Sequence, residues 1–159
     1  MNTLLDELKC RFPYQFERLA PDVEFFPGWC AALARACEQI DATLGDDKRG
    51  WHWTQIKEKF GVARLYYRFG WSKTPTLRLD IAARDSIASL HFLDAPDDSV
   101  AVHIHTIVSE AEACTASQCM VCGGLARSKL YEGWWATLCE RHPPFKGKDS
   151  CWQLSEADE

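Results

Sequence analysis

The stretch CMVCGGLARSKLYEGWWATLCERH, residues 119–142, constrains the fold more than any other part of the chain. It sets Cys119, Cys122, Cys139 and His142 in the pattern C-x2-C-x16-C-x2-H. Two residues between ligands let a tight turn aim both side chains at one point, and Gly123 and Gly124 relieve the crowding behind the second thiolate. Three thiolates and an imidazole at tetrahedral reach suit Zn²⁺, with Zn–S near about 2.3 Å and Zn–N near about 2.0–2.1 Å. Four protein ligands fill the coordination sphere, so the expectation is a structural zinc with no position left for water or substrate. Such a site contributes on the order of 10 kcal/mol to folding its module. Cys114, Cys151 and a solvent molecule stand as alternatives to His142 for the fourth position.

The chain has eight cysteines, which raises the question of disulfides. MNTLLDELKC, at the N-terminus, is acidic where a secretory leader is positive and has no long apolar run. No apolar run approaches the ~20 residues that a membrane helix needs. A cytoplasmic protein is therefore expected, and a reducing compartment favours metal ligation for cysteines that come in pairs. The scattered Cys10, Cys30, Cys37, Cys114 and Cys151 read as buried small hydrophobes or idle thiols.

With 159 residues, 47% hydrophobic and 26% charged, the chain has the composition of a soluble globular protein able to bury a proper core. The expected organisation is an α+β domain over 1–115, a zinc module over 116–145 packed on it, and a polar, acidic tail over 146–159. Leu4, Leu5 and Leu8 predict a short helix over 3–11, stopped by Pro13. Leu33, Ala36, Cys37, Ile40 and Leu44 share one face of a helix over 29–44, with Gly45 as its stop. Residues 51–69 are ambiguous: Trp53, Ile56 and Phe60 suit a helix. Val62–Phe69 suits a strand, with Gly61 as a turn or bulge. Residues 76–82 and 86–92 predict a hairpin connected through 83–85. Asp97, Asp98 and Ser99 open a further helix whose apolar stripe is Val100, Ile104, Ile107, Val108 and Ala111, ending near Cys114. The simplest assembly is one antiparallel sheet of three or four strands, packed with two or three helices and followed by a zinc knuckle.

Signatures of catalysis are missing. The sequence has no P-loop, no G-x-G-x-x-G and no G-x-S-x-G. His103 and His105, at i and i+2 on a helix, diverge by about 200°. Glu110 and Glu112 share that spacing and read as solvated. A zinc deaminase needs H-x-E and P-C-x-x-C, which are absent. The expectation is a protein that is not an enzyme and takes no small-molecule substrate.

Net charge is −5, but it is unevenly spread. Residues 48–84 carry nine basic and two acidic side chains, whereas 85–126 carry six acids and no Lys or Arg. In the basic block Lys57, Lys59, Arg64 and Arg68 are interleaved with aromatics such as Tyr66. On a strand, Arg64, Tyr66 and Arg68 share one face and Leu65, Tyr67 and Phe69 the other. The first set makes a candidate nucleic-acid face, with cations on phosphates and an aromatic for stacking.

Two segments together give the chain a resemblance. QIKEKFGVARLYY, residues 55–67, and Cys119-x-x-Cys122-Gly123 followed by GWWxTLCxxH, residues 133–142, resemble a set of small, mostly uncharacterised proteins of phages, prophages and bacterial genomes. The helix after FFPGW fits that set, as does Glu110-Ala111-Glu112 ahead of the first cysteine. The chain departs from it by an insertion around the 76–92 hairpin and by Ala63. The resemblance implies a compact α+β domain with a C-terminal zinc knuckle and no catalytic activity. In that light the expected role is a zinc-stabilised interaction protein of phage or prophage type that binds or inhibits a host protein complex, a defence system being one candidate. Trp134 and Trp135 are expected to divide between core and exposed interface anchor. Asp94, Asp97 and Asp98 in the acidic block are candidate contacts to a basic partner surface. Nucleic-acid binding through 48–84 is the alternative.

Overall fold

A computed structural model describes residues 3–19, 23, 25–70, 77–83, 86–92, 98–146 and 152–153; for 3–4, 77–83, 86–92 and 152–153 the description is of the backbone. In chain order the elements are α1 (Thr3–Arg11), α2 (Pro13–Phe16), a 3-10 turn (Pro27–Trp29), α3 (Cys30–Leu44), β1 (His52–Lys59), β2 (Val62–Arg68), β3 (Leu77–Ala83), β4 (Ser86–Phe92), α4 (Ser99–Thr115), β5 (Arg127–Tyr131), β6 (Trp134–Leu138), β7 (Phe145–Lys146) and β8 (Trp152–Gln153). The architecture is α+β. Among the described residues no helix is long and apolar enough to cross a membrane.

The two long helices form where the apolar spacing places them. In α3, Leu33, Ala36, Cys37, Ile40 and Leu44 are buried, and Gly45 ends the helix at φ 59°. Asp98 caps α4, its Oδ1 accepting from the N–H groups of Val100 at 3.0 Å and Ala101 at 3.4 Å. Ile104, Ile107, Val108 and Ala111 then face inward, and the two helices pack on each other.

Residues 52–59 are strand, not helix. The register of β1 on β2 shifts between Trp53 and Gln55. A bulge inserts one residue into the alternation. Trp53 and Ile56, three apart, therefore both point into the core, where both are fully buried. A bulged strand thus mimics helical spacing in sequence. The hairpin closes through Phe60 at φ 57° and Gly61 at φ 75°, a pair of left-handed residues suited to the twist of a two-residue turn. A Cβ on Gly61 would sit 3.0 Å from the Cα of Ala136.

The predicted hairpin forms with Leu77 opposite Phe92 and Ala83 opposite Ser86. The single sheet of three or four strands does not: among the described residues each strand pairs only within its own two-stranded hairpin. The open edge of β2 shows why. Glu112 Oε1 accepts from Leu65 N–H at 2.7 Å, and Thr115 Oγ1 accepts from Ala63 N–H at 2.9 Å. Helix α4 therefore occupies the backbone donors that a third strand would need. Glu112, read from sequence as solvated, is buried for this purpose.

The core is aromatic. Trp51 meets Trp53 edge-on with centroids 4.7 Å apart and stacks on Tyr67 at 5.6 Å. Trp29, fully buried, takes the edges of Phe25 and Phe26.

Candidate metal centre

Cys119 and Cys122 flank a tight turn in which Gly123 N–H donates to Cys119 C=O at 2.8 Å and Cys119 N–H donates to Gly124 C=O at 2.8 Å. Gly123 holds φ 72°, a conformation open to glycine at little strain. The chain leaves through β5, turns at Glu132 and Gly133, and returns through β6 to Cys139. There His142 N–H donates to Cys139 C=O at 3.1 Å, which closes the second turn.

These two turns bring the four predicted side chains together. Their ligand atoms all lie within 4.8 Å of one another. His142 Nδ1 is 3.3 Å from Cys139 Sγ and 3.7 Å from Cys119 Sγ, while Cys122 Sγ is 3.8 Å from Cys139 Sγ. Tetrahedral zinc at ordinary bond lengths requires S–S edges of about 3.8 Å and S–N edges of about 3.6 Å. These three edges lie close to those values, and the four side chains together can hold a metal ion. His142, not Cys114, joins the three cysteines. Among the described residues this is the one such group of His, Cys, Asp or Glu.

The ligands differ in surroundings. Cys119 is fully buried and His142 nearly so, Cys139 is half-buried and Cys122 is exposed. Burial pushes the Cys119 thiol up. Burial also acts to raise Cys139, but the His142 side chain, the Arg141 backbone N–H and the neighbouring thiols outweigh it and bring this group down to about 6. The Arg141 guanidinium lies 3.8 Å from Cys122 Sγ, placing a cation beside the outermost sulfur of the set.

The knuckle is built into the main core. Gly28 N–H donates to Met120 C=O at 3.0 Å, and Trp29 Nε1 donates to Gln118 C=O at 3.2 Å. A Cβ on Gly28 would stand 1.9 Å from the carbonyl oxygen of Cys119. Met120, fully buried, donates its N–H to Thr137 C=O at 2.9 Å, and Thr137 Oγ1 donates to Gly61 C=O at 2.7 Å. The FFPGW segment and the β1–β2 turn are thus the seat of the metal module. No spacing in the sequence links position 28 to position 119, so this contact carries no sequence signal.

The other expected site residues fare differently. Arg64, placed by alternation on an open face, is buried at 4% exposure and donates to Ala63 C=O at 3.2 Å. Residues 62–65 of β2 are buried on both faces, so the period of two does not separate core from solvent there. Lys57 lies over the Tyr66 ring at 5.1 Å and Lys59 over Phe60 at 5.1 Å; Tyr66 and Arg68 are half-buried. Trp134 and Trp135 do not divide between core and surface: both are half-buried. Asp98 caps α4 and pairs with Arg49 at 2.7 Å. Asp94 and Asp97 lie outside the described residues.

No protein family matches the chain, and neither a curated protein nor a solved structure is similar enough to be told from chance.

Proposed function

We propose that the chain is a zinc-stabilised interaction protein without catalytic chemistry of its own, a cytoplasmic factor of phage or prophage type that binds a host protein complex and blocks it. The carrying observation is the closed Cys3His set, whose mutual distances suit a tetrahedral ion and leave no ligand position for substrate. Zinc follows from the donors, since three thiolates and one imidazole are soft ligands in a tetrahedron. A partner-binding role is supported by the apolar side chains that the module keeps in water, Leu125, Leu130 and Phe145.

The nucleic-acid reading loses Arg64, the central cation of its face, to the interior. Lys57, Lys59, Tyr66 and Arg68 remain as its basis, on a chain of net charge −5.

The test has two parts. Elemental analysis of natively purified protein is expected to give one zinc per chain, lost in the Cys139→Ser/His142→Asn double variant; wild type without metal would end the reading. Capture from host lysate is expected to retain one discrete protein complex, with no salt-sensitive binding of short DNA or RNA. Nucleic-acid affinity falling steeply with salt, and no protein retained, would instead favour the alternative.

A further inference from the structure

Beside the metal centre the β5–β6 hairpin carries a groove of about 410 Å³, lined among others by Leu125, Arg127, Lys129, Leu138, Glu140 and Arg141. Leu125 is 88% exposed, a large apolar side chain held almost wholly in water. Leu125 pairs across to Gln118 and leads into β5, so Leu125, Arg127 and Lys129 stand at alternate positions of an extended segment and share one face. Arg127 and Lys129 are exposed, and among the described residues their side chains make no hydrogen bond or ion pair. Arg141 adds a third cation to the groove. Against these three stand Glu140 and the single negative charge of a zinc-loaded Cys3His centre. The groove is therefore positive on a chain whose net charge is −5.

We propose that this groove receives an extended acidic segment of a partner protein, with an apolar side chain on Leu125 and alternate carboxylates on Arg127 and Lys129. The inference rests on the interaction-protein reading and names the surface and the partner chemistry. Alternate side chains of an extended segment are about 6.6 Å apart on both sides of such a contact, so the spacing matches without bending either chain. Exposed ion pairs of this kind are weak singly and set register and selectivity more than affinity. The apolar contact at Leu125 is what an acidic peptide can use and a phosphate backbone cannot.

The probes are dye-labelled peptides Leu-Thr-Glu-Thr-Glu-Thr and its reverse, versions with Lys for Glu, and an oligothymidylate, each titrated into isotope-labelled, zinc-loaded full-length protein. The acidic peptides are expected to shift backbone resonances of Leu125–Lys129 and Arg141, to weaken about tenfold in Arg127→Glu/Lys129→Glu, and to weaken as salt rises from about 0.05 M to about 0.5 M. Leu125→Ser is expected to weaken them without changing the salt slope. Absence of binding by both acidic peptides, shifts confined to another face, equal binding of the Lys versions, or oligothymidylate alone filling the groove would overturn the proposal. Lysate capture with wild type and Arg127→Glu/Lys129→Glu separates the two levels. A complex retained equally by both overturns the groove and keeps the interaction reading; a wild type that retains no protein ends the interaction reading itself.

Discussion

Single side chains in this molecule are tuned by what they touch, and Asp41 is the clearest case. Its Oδ1 accepts from Lys48 Nζ at 2.7 Å and from Tyr14 OH at 2.9 Å. The Lys48 hydrogen bond, more than any other contact, holds this carboxyl below the ordinary carboxylate value, against a smaller opposing effect of burial. A folded-state value below the unfolded one means stabilisation that is fully present above about pH 4 and is lost as pH falls through the folded value. Asp41 is partly solvated, so screening keeps the contribution near 0.5 kcal/mol, roughly that of an exposed pair. Asp41→Asn is expected to lower stability in urea by about 0.5 kcal/mol at pH 7 and to converge on wild type as pH falls through the lowered folded-state value of Asp41. Equal sensitivity at pH 7 and in acid would show that the carboxylate charge is not involved. Cys37 illustrates the opposite environment: burial pushes its thiol up to about 12, so it stays protonated and serves as packing, as its spacing in α3 implies.

At the scale of elements, β2 depends on α4. Without Glu112 and Thr115 its outer N–H groups would be buried unpaired, and each such loss costs about 1–3 kcal/mol. Glu112→Ala is expected to lower the unfolding free energy measured in urea by an amount in that range, and Glu112→Gln, which keeps an acceptor oxygen, by clearly less. An Ala variant as stable as the Gln variant would remove the edge argument. This dependence also shows where sequence reading stops. The helices 30–44 and 99–115 were legible because each buries one stripe of a regular period, and the clustering of Cys119, Cys122, Cys139 and His142 because their spacing is local. The bulge at Trp53 and Gln55 defeated the period test, since one inserted residue gives a strand the three-residue interval of a helix. Glu112 and Arg64 were misplaced for a shared reason. Their burial is set by a partner element distant in sequence, and composition carries no record of that contact.

For the whole molecule the question is whether the metal module is an appendage or a part of the core. Cys119, Met120, Val121, Ala136 and Leu138 belong to the same buried cluster as Trp29, Trp53 and Ile56. Gly28 lies so close to the first knuckle that its Cα hydrogen stands where a methyl would overlap the Cys119 carbonyl. Loss of the metal should therefore be felt by the helices, and damage to the seat should be felt by the metal. Chelation of the loaded protein is expected to shift one cooperative thermal transition downward, with tryptophan fluorescence and far-ultraviolet dichroism coincident before and after. Two separable transitions would mean an independent module.

Gly28→Ala tests the coupling from the other side. It replaces no ligand side chain, yet a Cβ 1.9 Å from the Cys119 carbonyl oxygen must displace the knuckle or the 3-10 turn. A loss of at least about 3 kcal/mol is expected, together with weaker zinc retention in a competition with a chromophoric chelator. Acid adds a signed check, because zinc holds thiolates and a neutral imidazole and so competes with protons. Metal-dependent stability should be present at neutral pH and vanish as pH falls, until wild type and Cys139→Ser unfold alike. If Gly28→Ala lost stability but kept wild-type zinc affinity, seat and site would be separate structures sharing a surface. If both fall together, one core holds the metal and is held by it.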